Sequence, residues 1–159
     1  MSMEIDHLGI AVNSIDESLR FYRDALGMEI SARETVPHER VNVAMLPIGD
    51  SRIELLEPAD PDSTIARFLG KRGPGLHHIA LRVDNLAAAV ERLKAAGAQL
   101  LNEPCAGAGG HTYVFVHPAS TGGVLLELVQ SPKRQSKLET EPGSVSDPSF
   151  KAERERGNF

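Results

Sequence analysis

The chain reads as one α+β domain in which a βαβββ module occurs twice, the copies forming a curved mixed sheet around a cleft. Three observations predict this. Sliding the sequence against itself by 71 positions brings residues 7–15 (HLGIAVNSI) onto residues 78–86 (HIALRVDNL), and each segment begins with histidine and alternates apolar with small or polar residues. At the same offset an amphipathic helix follows each strand, and three further strand patterns separated by turn residues follow each helix. A repeat of this kind sets the architecture before any single element is assigned.

In the first strand Leu8, Ile10 and Val12 share one face while His7, Gly9 and Ala11 share the other; in its counterpart Ile79, Leu81 and Val83 oppose His78, Ala80 and Arg82. Such alternation marks half-buried strands. Ile15, Leu19, Tyr22 and Leu26 then recur at helical spacing, matched by Leu86, Val90, Leu93 and Gly97. Ser14 and Asn85 occupy the N-cap positions, Ser14 with Glu17 fits a capping box, and Gly27 and Gly97 mark the helix ends. Strands are predicted over 28–33, 41–47 and 51–57, with Gly49-Asp50 in the hairpin, and over 98–103, 111–117 and 123–130, with Gly122-Gly123 at the equivalent turn. Between the modules (5–57 and 76–130), residues 63–69 form a short connector helix stopped by Gly70. Beyond residue 131 the charges alternate in sign among Pro and Ser, so 132–159 reads as a disordered tail outside the 4–131 domain.

Composition bounds the function. The 159 residues carry 17 Lys+Arg against 22 Asp+Glu, a net charge of -5, which argues against a basic nucleic-acid-binding face. No apolar run approaches the roughly 20 residues of a membrane span, and the start of the chain lacks the basic and apolar regions of a signal peptide, so a cytoplasmic protein without membrane partners is expected. Cys105, the one cysteine, has no internal partner and reads as an inert thiol. The glycines of 107–110 lack a nucleotide-binding spacing and read as a flexible loop able to close over a ligand.

Four polar residues interrupt inward faces. His7 and His78 lie in the first strands of their modules, and Glu54 and Glu127 sit among apolar residues in the last strands. Buried charge is costly unless paired or bound to metal. Duplication brings all four into one cleft, and this mixed nitrogen and oxygen set suits a divalent ion: Co, Ni, Mn, Zn, Mg or Fe. His77 competes with His78, but the period of two assigns His77 to the face beneath the helices.

The paired modules with His, Glu, His and Glu on equivalent strands resemble the vicinal oxygen chelate superfamily over about residues 4–131. Within it, Asp6-His-Leu-Gly-Ile-Ala-Val12, Ile53-Glu-Leu-Leu-Glu-Pro58, Asp62-Ser-Thr-Ile-Ala-Arg-Phe-Leu69, Gly75-Leu-His-His-Ile-Ala80 and His117-Pro-Ala-Ser-Thr-Gly-Gly-Val-Leu-Leu-Glu-Leu-Val129 are similar to runs of the methylmalonyl-CoA epimerase family. The resemblance implies a cobalt-type metal held by His7, Glu54, His78 and Glu127, an acyl-CoA substrate and a homodimer. It also implies epimerisation through a metal-stabilised enolate, with Glu127 as the principal acid–base and Glu54 as its partner. The chain departs from the family at His38-Glu-Arg-Val41, where Glu39 reads as an exposed loop charge and alternatively as a second base, and at Ala119, where a lysine is common. A glyoxalase I-type lyase or isomerase acting on a glutathione hemithioacetal uses the same ligand set, as does an Fe(II) dioxygenase, and a non-catalytic resistance-type binding module shares the fold.

Overall fold

The computed structural model describes residues 2–132. The disordered-tail expectation for 132–159 therefore falls, beyond its first residue, outside the described residues.

Eight strands form one mixed sheet: β1 (Met3–Ala11), β2 (Ala32–Val36), β3 (Val41–Ile48), β4 (Ser51–Pro58), β5 (Gly75–Val83), β6 (Cys105–Ala106), β7 (Thr112–Val116) and β8 (Leu126–Gln130). Three α-helices, α1 (Ile15–Leu19), α2 (Thr64–Arg72) and α3 (Leu86–Ala95), accompany them. The strand order β2-β3-β4-β1-β5-β8-β7-β6 places the first strand of each module at the centre, antiparallel to each other and each parallel to the last strand of its own module. Both βαβββ modules are present, as the repeat predicts.

The N-termini of α1 and α3 are secured in the same way. Ser14 Oγ accepts from Glu17 N–H at 3.2 Å and Asn85 Oδ1 from Ala88 N–H at 3.0 Å. In addition Glu57 Oε2 accepts from Ile15 N–H and Gln130 Oε1 from Leu86 N–H, both at 2.7 Å. Free N–H groups at a helix start need acceptors, and here the last strand of each module supplies one, locking helix to sheet. α1 packs through Ile15 and Leu19 with Val12, Ala44, Leu46 and Leu55, and α3 through Leu86, Ala89 and Val90 with Val83, Val114, Val116 and Leu128.

Five element boundaries differ from the sequence expectation. The first helix passes after Leu19 into a π-helical turn, Arg20–Ala25, whose Leu26 N–H donates to Phe21 C=O at 2.8 Å. The extra residue in that turn rotates Leu26 off the apolar stripe and leaves it 58% exposed, while Met28 and Ile30 pack into the core instead. Consequently the second strand begins at Ala32 rather than 28, paired with Met45. The connector helix runs through Gly70 to Arg72 and stops at Gly73, where φ is 71°.

In the second module the strand predicted over 98–103 is only a bridge at Leu100 to Val116. There Asn102 Oδ1, a side chain, accepts from Phe115 N–H at 2.8 Å where a strand would offer its backbone carbonyl; the ladder resumes at Cys105–Ala106. The last strand starts at Leu126 rather than 123, because Gly122 and Gly123 both take positive φ in a turn with Gly123 N–H bonded to Pro118 C=O.

Candidate functional site

The central strand pair builds the site. His7 lies opposite Ala80 and His78 opposite Gly9, so each histidine faces a small residue across the ladder. The smallness at Gly9 is obligatory: a Cβ there would lie 2.2 Å from His78 Cε1. Glu54 and Glu127 reach the same place from β4 and β8, the strands flanking the pair.

The four side chains predicted from the sequence come together, all less than a tenth exposed. His7 Nε2 lies 3.0 Å from His78 Nε2, 3.1 Å from Glu54 Oε2 and 3.3 Å from Glu127 Oε2. His78 Nε2 lies 3.1 Å from Glu127 Oε2 and 3.7 Å from Glu54 Oε2. Imidazole nitrogens and carboxylate oxygens converging this closely form a donor set that fits a divalent cation, and His7, Glu54 and His78 offer ligand atoms within 4.8 Å of one another.

The electrostatics demand positive charge at this point. Burial disfavours protonated His7, but hydrogen bonds to Asp6, Glu127 and Glu54 outweigh it and push its pKa to about 11. Burial likewise disfavours ionised Glu127, yet hydrogen bonds with His7 and His78 hold its pKa down at about 2. A proton or a metal ion can meet the demand, and the two compete.

Two β-bulges orient the histidines. The β1–β5 ladder skips Asp6, between Ile5 and His7, and skips His77, between His78 and Leu76. A bulged residue escapes strict alternation and its side chain is re-aimed. Asp6 Oδ2 lies 2.8 Å from His7 Nδ1, and His77 Nδ1 lies 2.9 Å from His78 Nδ1, so each ring is gripped at Nδ1 and presents Nε2 to the centre. This corrects the placement of His77 beneath the helices. It lines the cleft beside His78, edge-on to Phe68, and burial lowers its pKa to about 4, leaving it neutral. Period-two reasoning failed here because one extra residue in a strand inverts the faces.

Asp6 was the functional residue that alternation missed. Its side chain is 1% exposed, its Oδ2 accepts from Arg52 Nη2, and Arg82 Nη1 stands 3.6 Å from Oδ1. The available signal was the repeat itself, which makes Asp6 the equivalent of His77, each immediately before a histidine. Asp6→Asn is expected to weaken divalent-metal binding by about ten- to a hundredfold, measured by calorimetric titration of the metal-stripped protein; unchanged affinity would remove Asp6 from the support of His7.

The centre opens into a cleft of about 800 Å³ lined from both modules. Glu39 lies exposed in the turn before β3, as expected of a loop charge, and borders this cleft, its Oε1 accepting from Tyr113 O–H at 2.6 Å. Cys105 is half-buried and Asn102 Nδ2 donates to its sulfur at 3.3 Å. Gly107 and Gly109 line the same cleft.

Residues 6–115 match the family model of the glyoxalase/bleomycin resistance protein/dioxygenase superfamily. The chain belongs to this superfamily. Among its relatives is the ethylmalonyl-CoA/methylmalonyl-CoA epimerase of Cereibacter sphaeroides, 40% identical over 129 residues that cover 79% of this chain and 96% of that protein. The mitochondrial methylmalonyl-CoA epimerase of Homo sapiens is also 40% identical, over 80% of this chain and 73% of its own. A solved methylmalonyl-CoA epimerase in complex with methylmalonyl-CoA and NH4+ superposes with a TM-score of 0.80 at 36% identity, covering 84% of this chain and 97% of the other. Among the described residues no helix is long and apolar enough to cross a membrane.

Proposed function

We propose that the protein is a metal-dependent epimerase that interconverts (R)- and (S)-methylmalonyl-CoA. It is an isomerase of the epimerase type, and the observation that carries the reading is the meeting of two imidazoles and two carboxylates at the centre of a duplicated sheet. The likeness to epimerases across most of the chain supports the substrate class.

His7, His78, Glu54 and Glu127 would hold the cation, with cobalt as the metal implied by the family. When bound, it supplies positive charge where negative charge develops on the substrate oxygens during loss of the α-proton. The protein's own groups do the rest. Glu127 is ionised, the form a base requires, and takes the proton from the α-carbon. Glu54, on the strand flanking the other side of the β1–β5 pair, is the partner that delivers a proton drawn from solvent to the opposite face, while Glu127 releases to solvent the one it took. The apolar side chains of Phe115, Leu125 and Val129 in the cleft wall exclude water from the acyl group. Asp6 and His77 keep the imidazoles fixed while this happens.

Solvent deuterium exchange at the α-carbon of methylmalonyl-CoA tests the proposal. Cobalt-loaded protein is expected to exchange and epimerise, and metal-stripped protein to do neither. No exchange with fully loaded protein would turn attention to a glutathione hemithioacetal or to binding without turnover.

A further inference from the structure

Glu39 and Tyr113 stand on opposite lips of the curved sheet. Glu39 is in the exposed turn 37–40 between β2 and β3 of the first module, and Tyr113 is in β7 of the second. Four strands, β4, β1, β5 and β8, separate β3 from β7. At the ordinary spacing between strands a flat sheet would hold the two roughly 24 Å apart. Here Glu39 Oε1 accepts from Tyr113 O–H at 2.6 Å, so the sheet curls until its lips touch, and the contact spans the cleft that both residues line.

The two halves of this contact are anchored unequally. Tyr113 is 8% exposed and packs with Ala80, Val129, Cys105 and Phe115. Gly107 lies so close to its ring that a Cβ there would be 2.8 Å from Cδ1. Burial, the Cys105 thiol and the Glu39 carboxylate push the phenol above its ordinary pKa, so it stays a donor. Glu39 sits at the tip of a turn that is tied down one residue later. Arg40 N–H donates to Pro37 C=O at 3.2 Å and Arg40 C=O accepts from Ala59 N–H at 2.9 Å. Arg40 takes φ 56°, a left-handed geometry that a non-glycine residue holds only where its surroundings fix it. With the turn secured and the tyrosine packed, rotation of the exposed Glu39 side chain is enough to break the contact.

We infer that the Glu39–Tyr113 hydrogen bond is a strap: closed, it joins the two modules across the cleft that holds the His/Glu centre, and open, it admits ligand. A hydrogen bond to a charged acceptor favours the closed state by about ten- to a hundredfold, which leaves roughly 1–10% of molecules open. That the ligand admitted is an acyl-CoA rests on the reading above; the strap is tested without a thioester, so the two fail separately.

Cys105, the one cysteine of the chain, is half-buried in the cleft wall and pairs with Tyr113 across the β6–β7 ladder, so its thiol reports on opening. In cobalt-loaded protein treated with the neutral reagent N-ethylmaleimide, Tyr113→Phe and Glu39→Ala are each expected to be labelled about ten- to a hundredfold faster than wild type. The double variant should be labelled no faster than either, because both substitutions break one bond. Glu39→Gln keeps an acceptor oxygen and should stay closer to wild type. Retained cobalt in every variant shows that they are folded. Unchanged labelling in Glu39→Ala would overturn the strap. So would acceleration confined to Tyr113→Phe, which touches the thiol directly, or equal acceleration in Glu39→Gln and Glu39→Ala, which would trace the effect to lost charge.

Discussion

Glu127→Gln should leave a folded protein whose epimerisation is slower by about two to four orders of magnitude, the usual worth of a positioned acid–base group. The substitution is nearly isosteric, so the strand pairing of Glu127 with Ala80 and Phe115 is preserved. It removes one of the two carboxylates that face the histidines, 3.1 Å from His78 Nε2 and 3.3 Å from His7 Nε2. Because that carboxylate is also one of the proposed metal ligands, the variant's metal content has to be measured beside its rate. Loss of turnover at retained metal assigns the proton transfer to Glu127, whereas near-normal turnover would remove it from the mechanism.

Gly9→Ala should damage the site almost as severely, although the residue carries no chemistry. The added methyl group would sit 2.2 Å from His78 Cε1 and 2.4 Å from Nδ1. His78 has little room to yield: its ring meets His7, His77 and Phe115 edge-on at centroid distances of 5.1, 5.2 and 5.6 Å. The ring must swing away or the central strands must separate, and a misplacement of about 1 Å costs roughly a hundredfold in rate. Metal content and turnover should therefore fall together while circular dichroism stays close to wild type. A Gly9→Ala protein with full metal content and activity would show that His78 need not occupy the position described.

The repeat made most of this legible without coordinates. Equivalence at one offset identified both modules, their capped helices and the His7/His78 pair, and Glu54 and Glu127 stood out as carboxylates among apolar residues in the last strand of each module. Local exceptions were not legible. The π-turn after Leu19, the bulges at Asp6 and His77, and the Asn102 side chain standing in for a backbone carbonyl each change a register by means that depend on a neighbouring segment.

By itself, then, the order of residues determined which strands and helices form, since alternation and helical spacing express which face must leave water. It also determined which four polar side chains oppose that rule and share a centre. Only the tertiary structure decided how those side chains are held. Asp6 and His77 support the imidazoles because bulges turn them toward the cleft, and Gly9 is required because a ring from another strand crosses it. The physical reason is common to both: contacts between side chains on different strands depend on backbone register, which periodicity along one strand does not contain.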